Sequence, residues 1–177
     1  MTLPRILLYI LLLNARQNTE INTEKGIVVP SETDSKVSNC PFCLWLQGNG
    51  TKPPVVYEDP NLIATLCESP ISKGHTQIIF KKHYHQLADV ESDDAAKLGA
   101  LMPVIAAAIK KGLGAEMVYV ACIAEEVRHV HFHLVPRYDG DTKGFVHFTG
   151  DRIQLEDVDQ VLDSIKQNIV AAVRTNE

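Results

Sequence analysis

The chain has 177 residues, 45% of them hydrophobic and 22% charged, which is enough to bury one ordinary core in a single domain. A net charge of -5 with no long Lys/Arg run argues against a surface that grips duplex nucleic acid by its phosphates, so any phosphorylated ligand is expected to be small. Four cysteines (Cys40, Cys43, Cys67 and Cys122) are too sparse for a secreted disulfide scaffold.

At the amino end, Arg5 precedes an apolar run from Ile6 to Leu13 that is too short to cross a bilayer. The run resembles the hydrophobic part of a signal peptide, but the stretch "NARQNTEINTEK" after it offers no small-x-small cleavage site. Residues 1–39 are therefore read as an extension and linker, residues 40–177 as the folded domain, and the expected location is cytoplasmic without membrane attachment.

From Cys40 the text becomes structured. "CPFCLWLQG" predicts a short helical turn stopped by Gly48, with Trp45 and Leu46 in the core. "VVYE" (55–58) and "LIATLCE" (62–68), separated by the turn signal "DPN", predict a β-hairpin. "HTQIIFK" (75–81) is a third strand. "MVYVACI" (117–123) is a fourth, too continuously apolar for an edge facing water on both sides. Between them, Ser92 is positioned to cap a helix carrying Leu98, Leu101, Ile105 and Ile109 on one stripe, kinked by Pro103 and ended by Gly112. A second amphipathic helix is expected from about Leu155 to Arg174, with Val158, Leu162, Ile165 and Ile169 aligned. Hairpin-connected strands with segregated helices make an α+β fold with a mainly antiparallel sheet.

"HVHFHLVP" (129–136) is the fifth strand and the most informative stretch. In an extended strand His129, His131 and His133 share one face, while Val130, Phe132 and Leu134 face the core and fix the register. A single histidine is usually a satisfied polar group, but three in strict alternation form a row of imidazoles on a rigid element. By its residues alone the row suits binding a metal, attacking a substrate, or both; a tri-imidazole zinc hydrolase is one reading, although no carboxylate partner lies nearby in the text. "CPFC" by itself fits two thiols, a redox couple or half of a zinc site.

"HVHFHLVPRY" is similar to the signature of the histidine-triad family of nucleotide hydrolases and transferases, and "CPFC", "YEDPNLIA" and "SKGHTQIIFKKH" occur in the family's order. The resemblance covers about Cys40 to Tyr138 and implies a five-stranded antiparallel sheet and a homodimer. It also implies that His131 is the nucleophile attacking an α-phosphate, that His133 contacts the phosphate and helps the leaving group, and that His75 belongs to the pocket. A neutral imidazole, with an ordinary pKa near 6.5, needs no separate deprotonation to attack. The activity implied is hydrolysis of dinucleoside polyphosphates or nucleoside phosphoramidates; nucleotidyl transfer and nucleotide binding with little turnover are the alternatives. Histidine at 133, where the hexose-phosphate transferases carry glutamine, favours hydrolysis.

The zinc-containing bacterial members, like diadenosine polyphosphate hydrolases, imply a structural zinc held by Cys40, Cys43, His83 and His129, with His85 the alternative to His83. The chain departs from the family in two places. Glu125 and Glu126 stand where amide or hydroxyl donors are common, and Cys67 stands where an Asp often binds the ribose. Glu68 beside it is the candidate substitute, and Arg137 a candidate at the pocket mouth.

Overall fold

The computed structural model describes residues 39–174, so the extension expected before the domain lies, but for Asn39, outside the described residues. Five strands form one sheet: β1 (Val55–Glu58), β2 (Leu62–Leu66), β3 (Thr76–Phe80), β4 (Met117–Ala121) and β5 (His131–Arg137). Their order is β1-β2-β3-β5-β4, every neighbouring pair antiparallel. With helices α1 (Pro41–Leu46), α2 (Ser92–Leu113) and α3 (Val158–Arg174), the architecture is the expected α+β. No helix among the described residues is long and apolar enough to cross a membrane.

The β1–β2 hairpin turns as "DPN" predicts, because the Asp59 carboxylate accepts the backbone N–H groups of Asn61 and Leu62, both at 2.7 Å. All five residues of β2 are buried, since both sheet faces are covered there. The larger core packs Leu62, Ile78, Phe80 and Leu134 against Leu98, Ile105 and Ile109 of α2 and Val161 and Ile165 of α3. A smaller one sets Ile63 and Ile79 against Trp45, with Phe42 and Leu46 at its margin. The expected turn at "CPFCLWL" thus becomes a lid over the second face.

Three sequence expectations are corrected. β4 is an edge strand with Met117 and Val120 each 48% exposed, because β5 returns to lie between β3 and β4. Helix α2 runs through Gly112 and ends at Gly114, whose φ of 73° supplies the left-handed cap. Gly112 is instead a close-approach site: a Cβ there would lie 2.8 Å from the Ser164 carbonyl, and the Ser164 hydroxyl donates to the Gly112 carbonyl at 2.7 Å. Glu91, not Ser92, occupies the N-cap.

Gly74, immediately before β3, has φ of 79°, and a Cβ there would collide with the Leu113 side chain. Gly74→Ala is therefore expected to cost about 1–3 kcal/mol, read as a lowered midpoint in thermal or urea unfolding. A change below about 0.5 kcal/mol would show that the turn tolerates a side chain.

Candidate functional site

β5 begins at His131, so His129 sits just before the strand rather than on it. Its backbone N–H bonds to the Val127 carbonyl, and that of Val130 to the Tyr84 carbonyl. The three histidines are also less alike than a strand face implies. His129 and His131 are buried and His133 half-buried, because α1 closes over that side and sets the Phe42 ring edge-on to His129 and His131.

His129 faces two thiols. Its Nδ1 lies 3.4 Å from Cys40 Sγ and 3.5 Å from Cys43 Sγ, and Cys43 Sγ is 3.2 Å from His83 Nδ1. The four donors converge, and His83 rather than His85 completes the set. The His129 Nε2–H donates to the Phe80 carbonyl at 2.7 Å, which leaves the Nδ1 lone pair aimed at the sulfurs. These separations suit one tetrahedral zinc, whose ligand sulfur and nitrogen atoms lie about 3.5 Å apart. Without a cation, burial and then the neighbouring Cys40 push the Cys43 thiol up to about 12, so a bound divalent ion would stabilise both thiolates. All four cysteines are free of disulfides.

The remaining histidines form a directed hydrogen-bond relay. Ile71 N–H donates to His75 Nδ1 at 3.2 Å, so the His75 proton sits on Nε2, which lies 3.0 Å from His133 Nδ1 and donates to it. The proton of neutral His133 is thereby directed to Nε2. His131 Nδ1–H donates to the His129 carbonyl at 2.7 Å, leaving the Nε2 lone pair free. Burial, partly opposed by that carbonyl bond, holds His131 below its ordinary 6.5 and therefore neutral at pH 7.

His131 and His133 line a cavity of about 710 Å³ with Phe42, Trp45, Cys67, Glu68, Gln77, Glu125, Glu126 and Arg152. Glu68 thus stands in the cavity wall beside Cys67. Arg137 does not: its guanidinium is bonded to Glu116 and to the Tyr138 carbonyl. Sequence reasoning did not single out Phe42, Gln77 or Arg152. Arg152 lies past the last strand in a segment without periodicity, so only the chain's return to the sheet reveals it.

A five-stranded antiparallel α+β sheet with a histidine row beside a Cys2His2 cluster is the architecture of the histidine-triad class of proteins. A family model, the HIT domain, matches residues 51–140. An uncharacterized HIT-like protein of Methanocaldococcus jannaschii is 35% identical over 132 residues, covering 72% of this chain and 98% of that protein. An adenylylsulfatase of Arabidopsis thaliana is 29% identical over 115 residues, 62% of this chain and 58% of that one. A zinc-bound histidine triad family protein from Mycobacterium smegmatis superposes with a TM-score of 0.66 at 28% identity, covering 80% of this chain and 99% of that one. The chain belongs to the HIT family.

Burial first, then the charges of His133 and Arg152, lower His75 to about 3; burial first, then His131 and Arg152, lower His133 to about 4. Both folded values lie below the unfolded value, so the unfolded state binds more protons between them. The contribution to stability is full above about pH 6.5 and is lost as pH falls toward the folded values. Imidazole ¹⁵N spectra are expected to show His75 protonated at Nε2 and still neutral at pH 5; a His75 midpoint near 6.5 would contradict the buried relay.

Proposed function

We propose that the protein is a hydrolase that cleaves nucleotidyl compounds at an α-phosphate through a nucleotidyl intermediate on His131. The supporting observation is the paired tautomer assignment: His131 keeps a free Nε2 lone pair, while the Ile71–His75–His133 relay places a proton on His133 Nε2. A neutral nucleophile and a neutral donor thus stand two residues apart on one strand of one cavity.

The steps balance without an outside reactant beyond water. His131 Nε2 attacks phosphorus, the bond to the leaving group breaks, and the departing atom takes the electron pair and, where it needs one, the His133 proton. Water then attacks phosphorus, the phosphorus–nitrogen bond breaks with its electron pair returning to His131 Nε2, and the nucleoside monophosphate leaves; the proton released by water replaces any that His133 passed to the leaving group. Burial of both imidazoles keeps them uncharged, so neither is lost to protonation at neutral pH.

The substrates supported are dinucleoside polyphosphates and nucleoside phosphoramidates, and the Arabidopsis relative adds adenylyl sulfate to the compounds worth testing. A binding module with little turnover is the second reading, favoured by Glu125 and Glu126 in the cavity wall, whose ionised carboxylates repel phosphate and donate nothing. Incubation with diadenosine tetraphosphate, adenosine phosphoramidate and adenylyl sulfate separates the two. Turnover by the native chain, with a loss of about 10³-fold or more in His131→Ala, is expected for the hydrolase. Nucleotide binding without turnover would replace it by the module.

Cys40, Cys43, His83 and His129 would hold a structural zinc, which would staple α1 to the start of β5. Metal analysis is expected to find one zinc per chain, and Cys40→Ser to lose most of it together with thermal stability. Wild-type protein free of zinc after purification in its presence, or full retention in Cys40→Ser, would remove the metal from the account.

A further inference from the structure

The family match ends at residue 140, yet the chain beyond it folds back onto the sheet. Gly144–Thr149 forms a 3-10 turn in which His147 is buried and donates Nε2–H to the Pro136 carbonyl at 2.9 Å. Four residues past that turn, Ile153 N–H donates to the Pro70 carbonyl at 2.8 Å. Pro70 adjoins Ile71, whose own N–H fixes the His75 ring. The backbone of residue 152 is thereby anchored on the side of the chain that holds His75, and Arg152 lines the cavity with His133.

Charge makes that placement consequential. Glu68, Glu125 and Glu126 line the cavity, and Arg152 is the one Lys or Arg among its lining residues. The guanidinium makes no hydrogen bond or ion pair with another described residue, unlike Arg137, which is bonded to Glu116. An anionic ligand entering a wall with three carboxylates needs a fixed cation, and a free guanidinium with its planar fork of donors suits phosphate or sulfate.

We infer that Arg152 forms an anion subsite on the His75–His133 side of the cavity, selecting substrates whose leaving group carries its own negative charge. These are phosphoric or sulfuric anhydrides rather than phosphoramidates with a neutral amine. The inference rests on the hydrolase reading for its chemistry. As His131 Nε2 bonds to phosphorus, the anhydride oxygen departs with the electron pair and a negative charge that the guanidinium offsets; an amine leaves by taking a proton and gains little from a nearby cation. Electrostatics agree: beyond the larger effect of burial, the Arg152 charge lowers His75 and His133.

Arg152 is exposed and unpartnered, so its replacement is not expected to disturb folding. The test compares kcat/KM for adenylyl sulfate and diadenosine tetraphosphate with that for adenosine phosphoramidate in wild type, Arg152→Ala and Arg152→Lys. The anhydride-to-phosphoramidate ratio is expected to fall about tenfold or more in Arg152→Ala and to recover in part in Arg152→Lys. An unchanged ratio, including equal losses on both kinds of substrate, overturns the subsite.

Titration with inorganic pyrophosphate reads the subsite without catalysis. Wild type is expected to bind about tenfold or more tightly than Arg152→Ala, and equal affinity overturns the inference even if the chain proves to be a hydrolase. Absence of turnover with this difference in pyrophosphate affinity would remove the hydrolase reading and leave the subsite standing.

Discussion

Three of the polar contacts that His129 makes hold the site together. Its Nδ1 faces the Cys40 and Cys43 sulfurs, its Nε2–H is bonded to the Phe80 carbonyl, and its own carbonyl accepts the Nδ1–H of His131. The first two orient the ring, and the third selects the tautomer of the neighbouring nucleophile candidate. Because His129 is fully buried, each bond forms where water competes little, and losing a partner would strand a polar group in the interior. The sulfur cluster and the His131 imidazole are therefore mechanically linked through one residue even though only the second lines the cavity.

The sheet explains why this arrangement is rigid. β5 lies between β3 and β4: Ile79 of β3 stands opposite His131, and His133 is paired on both sides, with Gln77 of β3 and Ala121 of β4, so backbone ladders hold the last two histidines of the row. One face of the sheet rests on α2 and α3, the other partly beneath Trp45 of α1. Burial on both faces then does chemical as well as structural work, since desolvation is the leading cause that keeps His75, His131 and His133 uncharged. The cavity's three carboxylates and single guanidinium add a polarity along its wall that the histidine row alone does not have.

The parts of the fold that follow from local physics were legible in the chain. Alternation placed β5 within two residues, turn chemistry placed the β1–β2 hairpin, and apolar stripes placed α2 and α3. Where the reading failed, a distant neighbour was responsible. Gly112 looked like a helix stop because its real constraint is the approach of Ser164, 52 residues away. β4 looked internal because its apolar content does not reveal which strand pairs beyond it. Arg137 looked free to reach a ligand because nothing near it in the text announces Glu116.

The sequence by itself determined the α+β class and the histidine row, because periodicity and spacing are properties of neighbours along the chain; the four-residue Cys2His2 set was legible only through the family resemblance. Tertiary structure alone decided which nitrogen of His75, His129, His131 and His133 is placed to hold a proton, and that Arg152 returns to the cavity, and it brought the implied His83 rather than His85 to the thiols. The reason is physical: tautomer, ligand choice and pocket charge are set by partners within a few ångströms in space, and here those partners lie from two to 89 residues away along the chain.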